Sequence, residues 1–427
     1  MKNKRRLLVW VFQTGEPLHV DGENARPMRA MNLSNALVKA GHQVVLWSSA
    51  FHHQEKRHRT KNEMSVKISD NLEVRLIPSR GYQRHIGPGR LIDHAQMAFR
   101  LKKMLQKENS LPDVAFVGYP PIETSAVMTR WLNKRCIPSI IDVKDQWPSI
   151  FLDAVPGPLR PLGYLALWPY FFLARRAMNE ATGVSAMSNG FLKWALMFIK
   201  RERTDNDGVF PLTSPQGQVS KVELEAARQW WDEHGIEYGK HPNFCFVGSL
   251  MSVFDFKPVQ EAAKIAAGGP TTCQFIICGE GGSSAEIKKM MSGLPNVHFP
   301  GWIDRPKIEA LAERCQGALA PYLNIENYVT NIPNKIIDAL SLGLPIITPL
   351  QGEVAWLISE CGVGMRYGTD TGRTLYDCIQ ILTQDVLLLE TMAKNARALY
   401  AEKFSFEMVY GNFVKHLEGM TRSRTET

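Results

Sequence analysis

The residues best suited to bind a phosphorylated ligand lie in the run 331–338, NIPNKIID. An Asn cap followed by a Pro in the first turn predicts a helix, and Gly343 predicts its end before a short buried strand at 345–348. The start of a helix attracts anions through its N–H groups and dipole, and Lys335 adds a full positive charge. Asp338, one turn further along, could bind sugar hydroxyls. This pattern favours a nucleotide diphosphate site; the alternative is a buried helix on which Lys335 and Asp338 are only solvated.

A second candidate site is the run 141–148, IDVKDQWP, at the end of a predicted strand. It places the carboxylates of Asp142 and Asp145 and the cation of Lys144 where doubly wound sheets bind ligands, beyond the carboxyl ends of the strands. A carboxylate here could hold a hydroxyl group or act as a general base, and Asp145 is the preferred candidate. The alternative is that Asp145 caps the following segment.

Three glycine-bearing turns follow predicted strands and would let the backbone approach a ligand closely. They are the runs 12–17 (FQTGEP), 246–250 (FVGSL) and 276–282 (IICGEGG). The third imitates a dinucleotide fingerprint, but Ser284 stands where the third Gly would be, which argues against a nicotinamide dehydrogenase. Trp302, shortly after the next strand, could stack on a nucleobase or pack as a core aromatic.

Length and composition predict a globular protein with two domains of ordinary size. The 427 residues are 44% hydrophobic and 22% charged, with a net charge of +8. The positive excess lies mainly in the amino-terminal half, which suggests an anionic partner such as a phosphorylated lipid or an anionic membrane surface. A basic face without any partner is the alternative.

Seven cysteines without a C-x-x-C pair predict reduced, buried thiols, as in a cytosolic protein. The apolar run 7–12 near the amino terminus is too short for a signal peptide and predicts the first strand. No run reaches the roughly 18–20 apolar residues of a membrane span. His52, His53 and His58 lie among positive charges that would repel a cation, so we expect no metal site.

Alternating strand and helix patterns predict a doubly wound α/β architecture, repeated in two domains. Strands are predicted at 7–12, 44–48, 74–78, 114–117, 139–143 and 182–186, and again at 244–248, 274–278, 297–299, 318–322 and 345–348. Helices are predicted at 26–40, 90–107, 122–133, 159–179, 386–401 and 406–419. The pattern lapses at about 204–242, which we interpret as the connection between the domains.

The run 331–349, in this setting, resembles the donor-site helix of the family 4 retaining glycosyltransferases. In that family an acidic residue at the place of Asp338 commonly holds the donor ribose. Another acidic residue usually stands eight positions earlier, where this chain has Thr330 flanked by Asn331, and this departure bears on the contact to the donor sugar. The resemblance covers most of the chain and is strongest in 26–48, 141–148 and 244–364.

The resemblance implies the GT-B fold, an α/β architecture with two Rossmann-like doubly wound domains facing across a cleft. Its parts would be an acceptor-side domain at 1–210, a connection at 211–242, a nucleotide-sugar-binding domain at 243–402 and a helix at 403–427 that crosses back to the first domain. The residues expected at the donor are Gly15, Glu16, Gly248, Ser249, Lys257, Gly279, Glu280, Gly281, Trp302, Thr330, Asn331, Ile332, Asn334, Lys335 and Asp338. Those expected on the acceptor side are Arg26, Arg29 and Trp147, and the candidate catalytic residues are Asp145 and Asp142.

The activity that the resemblance implies is that of a retaining glycosyltransferase. No Asp-x-Asp stands at a predicted strand end to bind a diphosphate through Mg²⁺, so we expect it to need neither a metal nor a cofactor. It would move a hexosyl or acetamidohexosyl group from a nucleotide-sugar, expected to be a UDP-sugar, to a saccharide or lipid-linked acceptor in bacterial cell-surface polysaccharide synthesis. We expect a cytoplasmic protein without a nucleic-acid partner. Two alternatives remain open: a GT-B UDP-sugar epimerase, and a non-catalytic subunit that binds nucleotide-sugar, which Thr330 and Ser249 would allow.

One further run, 159–176, is apolar and aromatic, is flanked by Arg and contains Pro169. It is too short to span a membrane, but its Trp and Tyr suit docking at the inner face of the plasma membrane. Such docking would suit a lipid-linked acceptor. The alternative is a helix packed on the sheet.

Overall fold

The computed structural model describes residues 5–22, 25–83, 87–153, 155–214, 217, 219–269, 272–368 and 372–422. The chain divides into two compact units. The first unit contains Met1–Pro211 and Val409–Thr427, and the second contains Leu212–Met408. Each unit is built on a mainly parallel sheet with helices between its strands, which confirms the predicted fold class.

The first unit contains an eight-stranded sheet. Its strands, with a separate hairpin at β3 and β4, are β1 (Leu8–Phe12), β2 (Gln43–Ser49), β3 (Phe51–His52), β4 (Arg57–His58), β5 (Met64–Ser69), β6 (Leu72–Ile77), β7 (Val114–Tyr119), β8 (Ser139–Val143), β9 (Gly183–Ala186) and β10 (Gly208–Val209). The order in the sheet is β10-β9-β8-β7-β1-β2-β6-β5, and its neighbours are parallel except for β5 against β6. The chain places β2 on one side of β1 and β7 on the other, so the strand order reverses at β1. A ligand site usually lies at such a point, beyond the carboxyl ends of the central strands.

The helices of the first unit cover this sheet. They are α1 (Arg29–Lys39), α2 (Pro88–Gln106), α3 (Ile122–Asn133), α4 (Ile150–Asp153), α5 (Arg160–Glu180) and α6 (Asn189–Ile199), with 3₁₀ turns at His19–Asp21 and Gly157–Leu159. α1 begins three residues later than predicted. Pro27 disfavours a helical conformation at Arg26, and the carboxylate of Glu16 accepts the N–H of Ala30, which caps the helix at its observed start.

The second unit contains a six-stranded parallel sheet. Its strands are β11 (Asn243–Val247), β12 (Gln274–Cys278), β13 (Val297–Gly301), β14 (Gly317–Leu319), β15 (Ile346–Thr348) and β16 (Gly364–Arg366), in the order β13-β12-β11-β14-β15-β16. Phe244 and Phe246 of β11 pack into the apolar cluster on one face, and Cys245 packs into the cluster on the other. Burial on both faces explains why these strands are continuous apolar runs in the sequence.

The described part of the second unit contains nine helices, and a tenth follows them. They are α7 (Lys221–Glu233), α8 (Lys257–Gly268), α9 (Ser284–Met290), α10 (Arg305–Ala312), α11 (Glu326–Val329), α12 (Asn334–Leu342), α13 (Glu353–Cys361), α14 (Gly372–Gln384), α15 (Val386–Leu399) and α16 (Phe406–Arg422), with a π-helical turn at Tyr400–Phe404. α7 falls in the stretch interpreted as a connection, but Trp231 is fully buried in the core of the second unit and its Nε1 donates to the carbonyl of Lys307 at 2.8 Å. α7 is therefore a packed part of the second unit.

From Val409 onward α16 belongs to the first unit. The ring of Phe413 stacks on Phe210 at a centroid distance of 3.8 Å and meets Phe116 edge-on at 5.5 Å. His42, near the start of β2, is fixed by the same helix. Its Nδ1 accepts the N–H of Leu7, so Nε2 carries the proton and donates to Glu418 at 2.8 Å.

All seven cysteines are free. The expectation that they are buried holds for Cys245, Cys273, Cys278 and Cys378 but is wrong for three others: Cys136 is exposed, and Cys315 and Cys361 are partly exposed. Within the described ranges, no helix combines the length and the apolar character needed to cross a bilayer.

Candidate functional site

In the second unit, glycines line the carboxyl ends of β11, β12 and β13. The N–H of Gly248 donates to the carbonyl of Cys278 at 2.9 Å, and that of Gly279 to Gly301 at 2.7 Å. A Cβ on Gly279 would lie 2.1 Å from the carbonyl oxygen of Gly248, and one on Gly281 would lie 2.2 Å from another backbone oxygen. Glycine is required because any larger residue would collide with the neighbouring strand end. We call Gly248, Gly279 and Gly281 the glycine edge.

Lys335, in the first turn of α12, reaches this glycine edge. Its Nζ donates to the carbonyl oxygen of Val247 and lies 4.2 Å from the centroid of the Phe246 ring. A Cβ on Gly248 would lie 1.8 Å from the same Nζ. The absence of a side chain at Gly248 therefore admits the ammonium group to the end of β11, and the aromatic ring and the carbonyl hold it there.

α12 starts differently from the prediction. It begins at Asn334 with Pro333 as its cap residue, so the expected Asn cap with a Pro in the first turn is wrong. Asn331 is buried, and its Oδ1 accepts the N–H of the next residue. Pro333 supplies no side-chain hydrogen bond to the first turn. Asn334 and Asp338 lie one turn apart, and Gly343 ends the helix with a φ of 70°, as predicted.

The other predicted donor residues of the second unit have varied surroundings. Ser249 and Lys257 are exposed, and Lys257 is the first residue of α8. The carboxylate of Glu280 accepts a hydrogen bond from Lys288 at 2.7 Å. Trp302 is 76% exposed just beyond β13, which rules out the alternative that it is a packed core aromatic.

Two of the predicted donor residues, Thr330 and Gly281, form hydrogen bonds within their own turns. The hydroxyl of Thr330 donates to the carbonyl of Glu326 at 2.7 Å, at the end of α11. The N–H of Gly281 donates to the hydroxyl of Ser284 at 2.7 Å, so this amide is used within its own turn. Ile332, in the segment that joins α11 to α12, is partly buried. The chemical role of these residues at a donor stays a prediction.

In the first unit, Asp142 and Arg29 form a buried ion pair. The Nε and Nη2 atoms of Arg29 donate to the two carboxylate oxygens at 2.7 and 2.8 Å, and Ser185 donates a further bond at 2.7 Å. Burial by itself would raise the pKa of Asp142, but the charge and hydrogen bonds of Arg29 hold it below its usual value. Both side chains are inaccessible. The pair joins β8 to α1, and its burial argues against the catalytic role predicted for Asp142 and the acceptor contact predicted for Arg29, which stay predictions.

Asp145 follows β8 by two residues and lines a pocket of about 200 Å³ inside the first unit. The polar residues that line this pocket are Gln13, Thr14, Glu16, Ser49, His53, Tyr82, Arg90, Asp93, His94, Lys144 and Asp145. Burial raises the pKa of Asp145 to about 6, against the positive charges of Lys144 and Arg90, which lower it. α4 begins only at Ile150, so Asp145 does not cap that helix. A carboxylate that titrates near neutral pH beside a pocket is a suitable general base.

Gly15 and Glu16 line the same pocket in the first unit. Gly15 has a φ of 79°, where glycine is favoured. Glu16 is 6% exposed, and its two carboxylate oxygens accept from the N–H of Ala30 and from the Nζ of Lys144. The carboxylate of Glu16 therefore caps α1 and pairs with Lys144. Its contact with a donor stays a prediction.

The remaining acceptor-side candidates differ in exposure. Arg26 is exposed ahead of α1. Trp147 is 9% exposed, and its ring packs edge-on against Phe151 at 4.7 Å. Its carbonyl accepts the hydroxyl of Tyr119 at 2.6 Å. Trp147 therefore packs within the core of the first unit, and its acceptor contact stays a prediction.

Sequence reasoning missed the part of the pocket that α2 supplies. Arg90 and His94 lie one turn apart on this helix, and the guanidinium of Arg90 lies 4.9 Å from the centroid of the Trp147 ring. Burial, with the charges of Arg90 and His53, lowers the pKa of His94 to about 3, so its imidazole is neutral at neutral pH. The signal in the sequence was the polar pair Asp93 and His94 on the buried face of an amphipathic helix.

His94 has an unusual buried neighbour. Its Nδ1 lies 3.7 Å from Oε2 of Glu123 on α3, and neither atom has a hydrogen-bond partner. Burial raises the pKa of Glu123. Buried polar atoms are normally satisfied, so an unsatisfied pair next to a pocket is a place where a ligand hydroxyl or a water molecule would be stabilised.

Among the described residues, no group of three or more His, Cys, Asp or Glu side chains could hold a metal ion. The three neighbouring histidines point to separate partners. Nε2 of His52 lies 3.5 Å from Asp21, His53 contacts the hydroxyl of Tyr82, and Nε2 of His58 lies 3.1 Å from the carbonyl of Arg80.

The architecture of the whole chain is that of GT-B proteins. Sucrose-phosphate synthase from Thermosynechococcus elongatus has a TM-score of 0.68 at 14% identity, over 98% of this chain and 100% of that chain. HepE of Anabaena in complex with UDP-glucose has a TM-score of 0.61 at 14% identity, over 97% and 100%. WaaG, a glycosyltransferase involved in lipopolysaccharide biosynthesis, has a TM-score of 0.61 at 15% identity, over 96% and 100%. At such identities the likeness shows the fold alone.

Residues 241–385 match the family model of the glycosyl transferases group 1. This segment lies within the second unit and includes the glycine edge, Trp302 and α12. No curated protein matches the chain. The similarity to glycosyltransferases in sequence therefore lies in this segment, and the fold of the chain is that of GT-B proteins.

Proposed function

We propose that the protein transfers a sugar from a nucleotide-sugar, bound by the second unit, to an acceptor hydroxyl bound in the pocket of the first. The observation that carries this proposal is the ammonium group of Lys335 held at Gly248. It lies inside the segment that matches the group 1 glycosyltransferase model. A positive charge at a glycine-lined strand end, beside the start of a helix, is suited to a diphosphate.

The donor we propose is a UDP-sugar that carries a hexosyl or acetamidohexosyl group. The fold likeness to a protein crystallised with UDP-glucose favours this choice. The diphosphate would lie against Lys335 and the first turn of α12, the ribose against Asp338 and the base against the exposed ring of Trp302. Lys335 would neutralise the leaving diphosphate, so we propose that transfer needs neither a metal nor another cofactor.

Asp145 is the residue that we propose at the acceptor. With a pKa of about 6 its carboxylate is largely ionised at neutral pH and accepts a proton from a hydroxyl group. The acceptor oxygen would form a bond to the anomeric carbon as the bond from that carbon to the diphosphate breaks, and the proton would pass to Asp145. We propose that the anomeric configuration is retained, and that the acceptor is a saccharide or lipid-linked saccharide of a bacterial cell-surface polysaccharide.

A thermal-shift screen against UDP-, GDP-, ADP- and CDP-sugars tests the donor proposal. We expect the melting temperature to rise with a UDP-sugar, because a ligand that binds the folded state stabilises it. A chain that none of these donors stabilises would exclude the proposed activity. The product identifies the reaction: a new nucleotide-sugar formed without acceptor indicates an epimerase, and binding without transfer to any acceptor indicates a non-catalytic subunit.

Two further measurements test the finer statements. Transfer that persists in excess EDTA supports a metal-independent reaction, whereas loss that Mg²⁺ restores contradicts it. The anomeric coupling constant of the product, measured by NMR and compared with that of the donor, distinguishes retention from inversion.

A further inference from the structure

The first unit carries an exposed apolar surface that its fold does not use. On α5, Leu162, Leu165, Trp168 and Phe172 are between 54% and 71% exposed, and Met197 of α6 is 69% exposed. We call these five residues and the cations around Met197 the α5–α6 surface. Large apolar side chains that cluster in this way on a surface usually mark a site of interaction.

The apolar side chains of this surface are exposed on both helices. Phe171, Ala174 and Met178 of α5 are buried, and the exposed side chains lie on other faces of the helix. The two helices are neighbours, because Nε of Arg175 donates to the carbonyl of Phe198 at 3.1 Å. No charged residue occurs between Arg160 and Arg175, so the first half of α5 presents an uninterrupted apolar and aromatic side.

The charges around the apolar residues have one predominant sign. Residues 156–203 contain seven Lys and Arg residues and two acidic residues, Glu180 and Glu202. On α6 and the turn that follows it, Lys193, Lys200 and Arg203 are exposed around a groove of about 510 Å³, and Glu202 is its one acidic lining residue. Leu192, Leu196 and Met197 also line this groove. An apolar groove whose charged lining residues are mainly cations is complementary to an acyl chain beneath an anionic headgroup.

We propose that the α5–α6 surface binds an anionic lipid bilayer. Leu165, Trp168 and Phe172 enter the boundary between headgroups and acyl chains, and Lys193 and Lys200 contact lipid phosphates. A second copy of this chain would bring two positively charged surfaces together, which opposes self-association through this face. The proposal goes beyond the proposed function, because it requires neither a nucleotide-sugar nor transfer.

Co-sedimentation of the full-length chain with vesicles tests the proposal. We expect binding to vesicles of phosphatidylcholine with phosphatidylglycerol to be at least about tenfold tighter than to phosphatidylcholine alone, and to weaken as salt is raised. Trp168→Glu with Phe172→Glu is expected to reduce binding by about tenfold or more, because two inserting side chains become charged. Lys193→Glu with Lys200→Glu is expected to reduce binding by at least about fivefold per site, and only to the anionic vesicles.

Matched variants separate the surface from a general effect. Leu387→Glu changes an apolar residue of α15 that is 77% exposed in the second unit, and Lys264→Glu reverses an exposed charge of α8. Both should leave vesicle binding unchanged. All the substituted side chains are exposed, so the melting temperature of each variant should stay near that of the native chain.

The outcomes discriminate between occupants. Failure of the native chain to bind either kind of vesicle overturns the proposal, as does equal loss of binding in the Leu387→Glu control. A dimer in analytical ultracentrifugation that the Trp168→Glu, Phe172→Glu variant dissolves, without vesicle binding, would assign the surface to a second copy. Vesicle binding does not depend on a nucleotide-sugar, so a negative donor screen would contradict the proposed function without contradicting this inference.

Discussion

The carboxyl ends of the two parallel sheets carry opposite kinds of residue. In the first unit they carry charged side chains, and several of these are paired within the fold. Asp142 pairs with Arg29, and Glu16 pairs with Lys144 and accepts a helix N–H. In the second unit the ends of β11, β12 and β13 carry glycines, and the ammonium group of Lys335 occupies the room that Gly248 leaves. A charged residue at a strand end therefore identifies a ligand site only after its partners within the fold are known.

Asp142 and Asp145 show this contrast within one strand exit. Asp142 is fully buried and Asp145 partly buried, and burial by itself acts to raise the pKa of each. Arg29 and Ser185 reverse that effect at Asp142 and fix its charge in the core. Asp145 has more distant cations, keeps a pKa of about 6 and faces the pocket. The first therefore supports the fold, and the second is available for chemistry.

The largest effect is expected at Asp145. Asp145→Asn should lower the rate of transfer by roughly 100- to 10,000-fold, because the amide cannot accept the proton, while donor affinity stays the same. In the native chain the rate should rise with pH through about 6, as the carboxyl group ionises. Initial rates across pH and donor titrations provide both readouts.

The matched control for this change is Asp70→Asn, which alters an exposed carboxylate of the same unit. It should transfer at the native rate. Native turnover in Asp145→Asn would remove this residue from the mechanism and leave the pocket without its proposed base.

The next effect is on stability. Asp142→Asn should lower the free energy of unfolding by about 3–5 kcal/mol, because Arg29 remains as an uncompensated buried charge. Since the pKa of Asp142 is lower in the folded than in the unfolded chain, the pair stabilises fully above the ordinary aspartate range near pH 4 and loses its effect as pH falls. Urea unfolding at pH 7 and at acidic pH measures both quantities.

A small effect of Asp142→Asn, comparable with that of Asp70→Asn, would contradict the structural role. The double variant Arg29→Met with Asp142→Leu should lose less stability than the two single changes summed, because it removes both buried charges together.

At the glycine edge, Lys335→Met should weaken UDP-sugar binding by about 10- to 100-fold, the value of one charge-assisted hydrogen bond. Methionine keeps most of the apolar stem against Phe246, so the melting temperature without ligand should change little. Calorimetric titration with the donor gives the affinity. Lys264→Met, on an exposed face of α8, is the control. Equal donor affinity in both variants would show that Lys335 does not bind the donor.

The smallest effect is expected at Trp302. Trp302→Ala should weaken donor binding by about two- to tenfold through the loss of one aromatic stack. Because the ring is 76% exposed, the free energy of unfolding should change by no more than about 0.5 kcal/mol. Trp356→Ala, which removes another exposed indole of the second unit, should affect neither quantity. Unchanged affinity in Trp302→Ala would place the nucleobase elsewhere.

The fold was predictable where strands are buried on both faces. Continuous apolar runs identify β8 and β12 to the residue, and the remaining predicted strands to within a few residues. The strands that were not predicted lack that signal: β5 is an edge strand whose side chains are nearly all exposed, β3, β4 and β10 have two residues each, and β16 has three. α7 lies in the stretch interpreted as a connection, since nothing in its sequence reveals that Trp231 is buried against another helix.

The candidate site was predictable only in part. Helix and glycine signals located Lys335 and Gly248 separately, but their contact depends on the packing of α12 against β11. The pocket of the first unit brings residues from distant segments together, such as Glu16, His94 and Asp145. Such encounters have no fixed spacing along the chain, so periodicity could not predict them.

Local periodicity and the conformational limits of Gly and Pro were enough to predict the two α/β units, the helix that carries Lys335 and Asp338, and the apolar run of α5. Which charges are available for chemistry depends on the folded chain. Asp142 is buried against Arg29, Asp145 lies beside a pocket, and the ring of Trp302 is exposed. Burial and nearby charges set the protonation state and accessibility of each side chain, and residues far away in the sequence provide both.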